Sequence, residues 1–311
     1  LLKDVPAHVK VYRTKTFEPF GLFNFFKGNK SKTTPMGFIN LNKNKSWLNS
    51  LSLYIRANYF IPDARKYWKN FAYNMARKVI LENKIDAIIT TGPPQSTHLI
   101  GYKLKEKLDI PWIADLRDPW TNVYYNAIFP RTKRTEKRDK QLEDMVATSS
   151  DCLTVVSAGL NEEFSNRAKD IETIYNGYDE TDFEGVHVKQ PDKFTLAYIG
   201  NLKPNQNVKV LWESISELCE ELDGFRTNFK LLLTGNIDGG ILDDLNACNI
   251  TGQAEVRPFL PHQEAVSLMC SVSMLLFVVP QAANNKLIIT GKLFEYIASG
   301  TPILSIGPIN G

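Results

Sequence analysis

Beyond residue 60 the chain alternates short apolar runs with amphipathic stretches of helical period. The pattern Ala64, Trp68, Phe71, Met75, Val79 predicts a helix that opens at Pro62. Ala87–Thr90 reads as a buried strand. Thr91-Gly92-Pro93-Pro94-Gln95-Ser96 then forms a turn and N-cap before a helix to about Leu108. Trp112–Asp115 and Cys152–Val156 are further strands, with a charged helix over 133–149 between them. Ser157 caps the next helix, and Ile171–Ile174 is a short strand. Residues 178–193 are polar, contain Gly185 and Pro191, and read as a linker. Strands at Phe194–Ile199, Phe229–Leu233, Glu255–Arg257 and Met274–Val278 then alternate with helices near 207–222, 240–247 and 262–270. The last stretch predicts a helix from Gly291 with Leu293, Phe294 and Ile297 on its apolar face. Gly300 is its left-handed C-cap, and Pro302–Ile306 forms a final apolar strand. Strands separated by helices build β-α-β units with parallel sheets. The fold class expected is α/β, with two Rossmann-like, doubly wound parallel-sheet domains over 1–185 and 190–311.

Composition fits that picture. At 311 residues, 43% hydrophobic and 23% charged, the chain has room for two ordinary cores. No run of 18 apolar residues occurs, and no signal peptide is visible. Cys152, Cys219, Cys248 and Cys270 are scattered in apolar sequence, as reduced buried thiols are. The four histidines have no metal-ligand spacing. The net charge of +3 is unevenly placed. Residues 1–70 hold 13 Lys and Arg against 3 Asp and Glu, leaving −7 on the remainder. Phe17, Phe20, Phe23, Phe25, Phe26 and Trp47 interleave with these charges. Such sequence is a membrane-contacting surface, a nucleic-acid surface, or a loop packed on the domain with a solvated Lys face. No nucleic-acid motif accompanies it.

Several segments carry candidate chemistry. Asp115-Leu116-Arg117-Asp118-Pro119-Trp120 follows a strand, at the sheet edge where open α/β folds bind ligands. Asp118 there is placed to orient an acceptor hydroxyl or take its proton, and Trp120 to offer a stacking face to a sugar. The other reading is a salt-bridged loop anchored by a buried Trp. Gly92 and the helix that starts beyond it present free N–H groups to an anion or hydroxyl, with His98 either a ligand contact or an ordinary first-turn residue. In the second half, Gly200 follows a strand and lets backbone approach a diphosphate; Lys203 is the cation of that loop. Glu295, on the first turn of the last helix, is either a ribose-diol ligand or a solvated residue. His262 stands where a helix begins, as an N-cap does.

Taken in order, Ile55–Arg65, Thr90–His98, Ala114–Trp120, Thr154–Ser157, Asn176–Asp179, Ala197–Lys203, Leu233–Asn236, Arg257–His262 and Gly291–Leu304 resemble nucleotide-sugar glycosyltransferases of the GT-B fold. They resemble in particular the retaining family 4, in a bacterial branch serving envelope or capsular polysaccharide assembly. The resemblance implies a cytoplasmic hexosyltransferase, peripheral on the inner face of the membrane through residues 10–60. It would use a nucleotide-sugar donor and a glycan or lipid-linked acceptor, with no metal or other cofactor and no nucleic acid. Asp118 would be catalytic. Gly200, Asn201, Lys203, Gly235, Lys292, Leu293 and Glu295 would bind the donor, and Gly92, His98, Arg117 and Trp120 would lie on the acceptor side.

The sequence departs from that family at three places. Asn201 and Asn207 stand where an Arg and a Lys usually neutralise the diphosphate, leaving Lys203 and Lys292 for that role. Leu287 stands eight residues before Glu295, where a first glutamate usually touches the donor sugar. The chain also opens without the family's first strand and Gly-rich loop and ends without its closing helices, so an internal portion of a longer protein is expected. The alternatives are a non-catalytic GT-B scaffold or partner subunit, which Leu287 favours, and a nucleotide-sugar epimerase.

Overall fold

A computed structural model describes residues 5–16, 47–123, 126, 129–280 and 284–309. Phe17, Phe20, Phe23, Phe25 and Phe26 lie outside the described residues. The chain divides into two units, Leu1–Ile174 and Tyr175–Gly311.

In chain order the first unit contains α1 (Trp47–Tyr59), α2 (Lys69–Asn83), β1 (Ile88–Gly92), α3 (Ser96–Leu108) and β2 (Trp112–Leu116). It continues with α4 (Lys133–Ser149), β3 (Cys152–Val155), α5 (Ala158–Phe164) and β4 (Ile171–Thr173). Among the described residues its sheet runs β1-β2-β3-β4, with every pairing parallel. Parallel strands are buried on both faces and need apolar sequence throughout. Trp112, Leu116, Leu153 and Val155 supply it and are almost fully buried. Ala72, Tyr73 and Ile80 of α2 pack on Ile100 and Leu104 of α3.

The helix expected from Pro62 starts only at Lys69. Asp63 explains the delay. Its carboxylate accepts from the Ser96 N–H (2.6 Å), the Ser96 hydroxyl (2.8 Å) and the Arg65 N–H (2.7 Å). The segment before α2 is thereby held as turns, tied to the start of α3. Ser96 is not the N-cap; it is the first helical residue, after Gln95.

The second unit contains β5 (Phe194–Ile199), α6 (Lys209–Glu221), α7 (Phe225–Asn228), β6 (Phe229–Thr234), α8 (Gly239–Ala247) and β7 (Ala254–Arg257). After these come α9 (His262–Cys270), β8 (Met274–Val278), α10 (Gly291–Ala298) and β9 (Ile303–Ile306). Its parallel sheet has the order β7-β6-β5-β8-β9. Successive side chains alternate between faces. Tyr198, Leu231 and Leu233 therefore join Trp212 and Ile241 in one core, while Ala197, Ile199 and Leu232 join Met269, Leu275 and Tyr296 in the other. The chain winds outward from β5 through β6 to β7, then returns to β8 on the opposite side of β5. The strand order thus reverses beside β5, which is where open α/β sheets leave a crevice at their carboxyl ends.

The stretch read as a linker at 178–193 is structured in part and belongs to the second unit. Glu180–Phe183 forms a short 3-10 turn. Asp182 reaches the His262 ring (3.2 Å) and the Gln263 amide (2.9 Å), both on α9. The last helix also differs from expectation. Its buried residue is Tyr296, and Ile297 is 60% exposed. Gly300 does adopt the left-handed conformation, at φ +70°. No described helix is long and apolar enough to cross a membrane.

Candidate donor and acceptor sites

In the second unit, Gly200 and Gly235 end β5 and β6 with φ of +125° and +122°, conformations closed to other residues without strain. The Gly200 N–H donates to the Thr234 carbonyl (2.7 Å), and the Gly235 N–H to that of Arg257 (2.9 Å). Added side-chain atoms would collide: a Cβ on Gly235 overlaps the Gly200 carbonyl, and one on Gly200 falls 2.8 Å from Lys292 Nζ. The two glycines bring the strand ends together and leave room for the lysine.

Beside them opens a cleft of about 300 Å³, whose lining combines apolar side chains (Phe259, Leu260, Ala265 and Met269) with Lys292, Glu295 and His262. Ile199, Gly200 and Thr234 also line it. Lys292 Nζ lies 4.1 Å from the centre of the Tyr198 ring, a cation–π arrangement. Burial brings its pKa down to about 8, with Glu295 acting against the fall and Lys203 adding to it. Tyr296 fixes the helix that carries both charges: its hydroxyl accepts from the Ile199 N–H (3.1 Å). Glu295 is the fifth residue of α10, so it sits on the second turn and not the first. It lies 3.8 Å from His262 Nε2, which also faces Asp182.

Gly200, Lys292 and Glu295 thus come together at one cleft, with Gly235 packed behind Gly200. Asn201, Lys203 and Leu293 do not line it. The Asn201 carbonyl accepts from the Tyr198 hydroxyl (2.7 Å), and the Lys203 N–H donates to Gln206 Oε1 (3.2 Å). Leu287 is buried and presents nothing polar. Ala265 and Met269 were not singled out from the sequence. Their spacing with His262 places all three along one helix face, a signal that was there to find.

In the first unit the register sets Thr91 beside Asp115 and Gly92 beside Leu116. The Asp115-to-Trp120 loop divides into two functions. Asp115 accepts from the Thr154 hydroxyl (2.8 Å) and lies 3.6 Å from Arg117, so it holds the strand end. Asp118 is half-buried and forms no hydrogen bond with the described residues. Burial raises its pKa above the usual carboxylate range, and the Arg117 charge opposes that rise.

Trp120 corrects the expectation of a sugar-stacking face. It is 4% exposed, and its indole N–H donates to Asp139 (2.8 Å). Asp139 also pairs with Arg131 (2.8 Å), and neighbouring Glu143 accepts from the N–H (3.0 Å) and hydroxyl (2.8 Å) of Thr121. Two buried carboxylates of α4 therefore clasp the loop behind Asp118. The start of α3 is likewise closed to an outside anion, because Asp63 already occupies its Ser96 N–H. His98 is fully buried; its Nδ1 lies 2.9 Å from the Thr90 hydroxyl, which accepts from the Trp112 indole (2.8 Å). Burial brings its pKa down to about 4, so the ring is neutral near pH 7. Its Nε2 has no partner among the described residues and faces Gly92, where a Cβ would lie 2.5 Å away.

The sequence matches no family model and none of the curated proteins. Its fold matches solved structures of GT-B glycosyltransferases. Sucrose-phosphate synthase from Thermosynechococcus elongatus aligns at a TM-score of 0.56 and 13% identity, over 76% of this chain and 59% of its own. HepE from Anabaena, solved in complex with UDP-glucose, aligns at 0.53 and 14% identity, over 76% and 63% respectively. The UDP-forming α,α-trehalose-phosphate synthase from Burkholderia vietnamiensis aligns at 0.53 and 11%, over 77% and 62%. The chain thus matches about three fifths of the length of these structures. Identities this low speak for the fold.

Proposed function

We propose that the protein is a glycosyltransferase that moves a sugar from a nucleotide-sugar to a glycan or lipid-linked acceptor. The observation that carries this reading is the cleft at the carboxyl ends of β5 and β6. It combines a backbone-close glycine, a half-buried ammonium, a carboxylate and apolar side chains on the fold of UDP-glucose-binding HepE. Lys292 meets the diphosphate, with Lys203 adding to the field, and Glu295 meets the ribose diol. The first unit supplies the acceptor side, where Asp118 takes the proton of the attacking hydroxyl or orients it. The hydroxyl oxygen bonds to the anomeric carbon, the bond from that carbon to the phosphate oxygen breaks, and the nucleoside diphosphate leaves with the electron pair. Cationic side chains serve the leaving group in a metal-independent reaction, and retention of configuration follows the family 4 resemblance.

The same resemblance supports a role in bacterial envelope polysaccharide synthesis, with the protein in the cytoplasm and peripheral to the inner membrane face. α1 supports the peripheral contact, since it exposes Trp47, Leu51, Tyr54 and Ile55 along one side. The test is transfer of labelled sugar from a panel of nucleotide-sugars to a lipid extract of the source cells. We expect product with the wild type and a loss of about 100-fold or more with Asp118→Asn. Label released from no donor in either protein contradicts the proposal.

A further inference from the structure

We infer that His262 is a positioning residue for Glu295, and that Asp182 acts through it from outside the cleft; the inference rests on the donor-site reading above. Glu295 lines the cleft, and its carboxylate takes no hydrogen bond from the described residues. A carboxylate on a flexible stem loses rotamer freedom when it grips a diol, so a neighbour that holds it beforehand lowers the cost of binding. Lys292, three residues earlier on α10, attracts it along the helix. From α9, His262 Nε2 stands 3.8 Å from Glu295 Oε1. At that distance the ring steers the carboxylate without occupying it, which leaves both oxygens for hydroxyls.

The ring is itself held. Its Nε2 lies 3.2 Å from Asp182 Oδ2, while Asp182 Oδ1 accepts from the Gln263 amide (2.9 Å). Carboxylates accept and do not donate, so with one on either side Nε2 carries the proton. Asp182 belongs to a braced turn. The Asp179 carboxylate accepts from the Thr181 N–H (3.0 Å) and hydroxyl (2.6 Å), and Tyr178 meets Phe183 edge-on, with 5.7 Å between ring centres. A negative charge at the start of α9, whose N-cap Pro261 offers no side-chain acceptor, accounts for the bond from Gln263. It does not call for a second carboxylate, from α10, at the same ring nitrogen. Asp182 is not among the residues lining the cleft, whereas His262 and Glu295 are. The order Asp182, His262, Glu295 therefore runs from the segment before β5 into the donor site.

The experiment is calorimetric titration with UDP, GDP, ADP and CDP, and with inorganic pyrophosphate as a ligand that has no ribose. The proteins are the wild type, His262→Ala, His262→Gln, Asp182→Ala and Glu295→Ala, with His262→Ala and Asp182→Ala each also combined with Glu295→Ala. We expect the nucleotide that binds the wild type to lose about threefold to fivefold in affinity with His262→Ala, and to lose affinity with Asp182→Ala as well. It recovers with His262→Gln, whose amide N–H takes the place of the ring N–H. Added to Glu295→Ala, neither substitution weakens binding further, because the group they position is gone. Pyrophosphate affinity is unchanged by His262→Ala and Asp182→Ala, which shows that both variants keep a folded cleft. Undiminished nucleotide affinity in His262→Ala overturns the inference. So does an equal loss with and without Glu295, which makes His262 a direct ligand contact. A parallel loss for pyrophosphate also overturns it, since His262 then supports the whole cleft. A loss in His262→Ala that Asp182→Ala does not share overturns the role of Asp182. A wild type that binds no nucleotide, or a Glu295→Ala variant that binds as well as the wild type, overturns the donor-site reading. Binding weakened by Glu295→Ala and not by His262→Ala overturns this inference alone.

Discussion

The ammonium of Lys292 stands over the ring of Tyr198, 4.1 Å from its centre, in the cleft that Gly200 and Glu295 also line. Burial there brings the lysine's pKa from 10.5 to about 8. A bound diphosphate favours the ammonium and raises that pKa again. The sign follows: nucleotide affinity is full below pH 8 and declines as pH rises through it, by up to about tenfold per unit. Titration at pH 7, 8 and 9 in buffers of different ionisation enthalpy should show proton uptake on binding near pH 8. Lys292→Met should abolish both the uptake and the slope.

Gly200 and Gly235 separate two kinds of steric demand. A Cβ on Gly235 meets backbone, which has nowhere to move, while one on Gly200 meets the flexible end of Lys292. Both alanine variants carry the strain of their φ angles, about 1–3 kcal/mol. Gly235→Ala should lose more than that in urea unfolding. Gly200→Ala should keep more stability yet lose nucleotide affinity, because it displaces the ammonium.

Asp63 ties the turns after Pro62 to the start of α3 through three hydrogen bonds. Asp63→Ala strands the Ser96 and Arg65 N–H groups and should cost about 2–3 kcal/mol of stability by urea unfolding. Nucleotide affinity, a property of the second unit, should stay unchanged.

The first-unit loop offers a test of the corrected reading of Trp120. Its indole, Asp139 and Arg131 form one buried cluster. Asp139→Ala leaves Arg131 without its carboxylate and should destabilise the first unit by about 3–5 kcal/mol. Asp118→Asn should leave the unfolding midpoint close to that of the wild type and remove transfer activity. With wild type, the rate should rise with pH through a carboxylate pKa lying above the ordinary range, as burial of Asp118 dictates.

How far the sequence could be read depended on whether a feature was set locally. The strands Phe194–Ile199 and Met274–Val278 and the helices 133–149 and 262–270 follow from apolar runs and caps, and the structure places them there. Gly300 was legible because a left-handed cap needs it. Features set by distant partners were not legible. Asp63 and Ser96 are 33 positions apart, so nothing near Pro62 announced that its helix would be delayed. Trp120 read equally well as a ligand face or an anchor until Asp139, 19 positions on, was seen to take its N–H. The buried side of α10 is set in the same way: Tyr296 turns inward because the Ile199 N–H, 97 positions away, gives it a partner.

The cleft that holds Lys292 and Glu295 is the centre of the account, and thermal unfolding with a nucleotide panel tests it most directly. UDP, GDP, ADP and CMP and their sugars would be added to the wild type and to Glu295→Gln. A ligand at 100 times its Kd adds about 2.7 kcal/mol of stability. The account predicts that one nucleotide raises the Tm of the wild type and raises that of Glu295→Gln much less. Equal shifts in the two proteins, or no shift with any nucleotide, would contradict it.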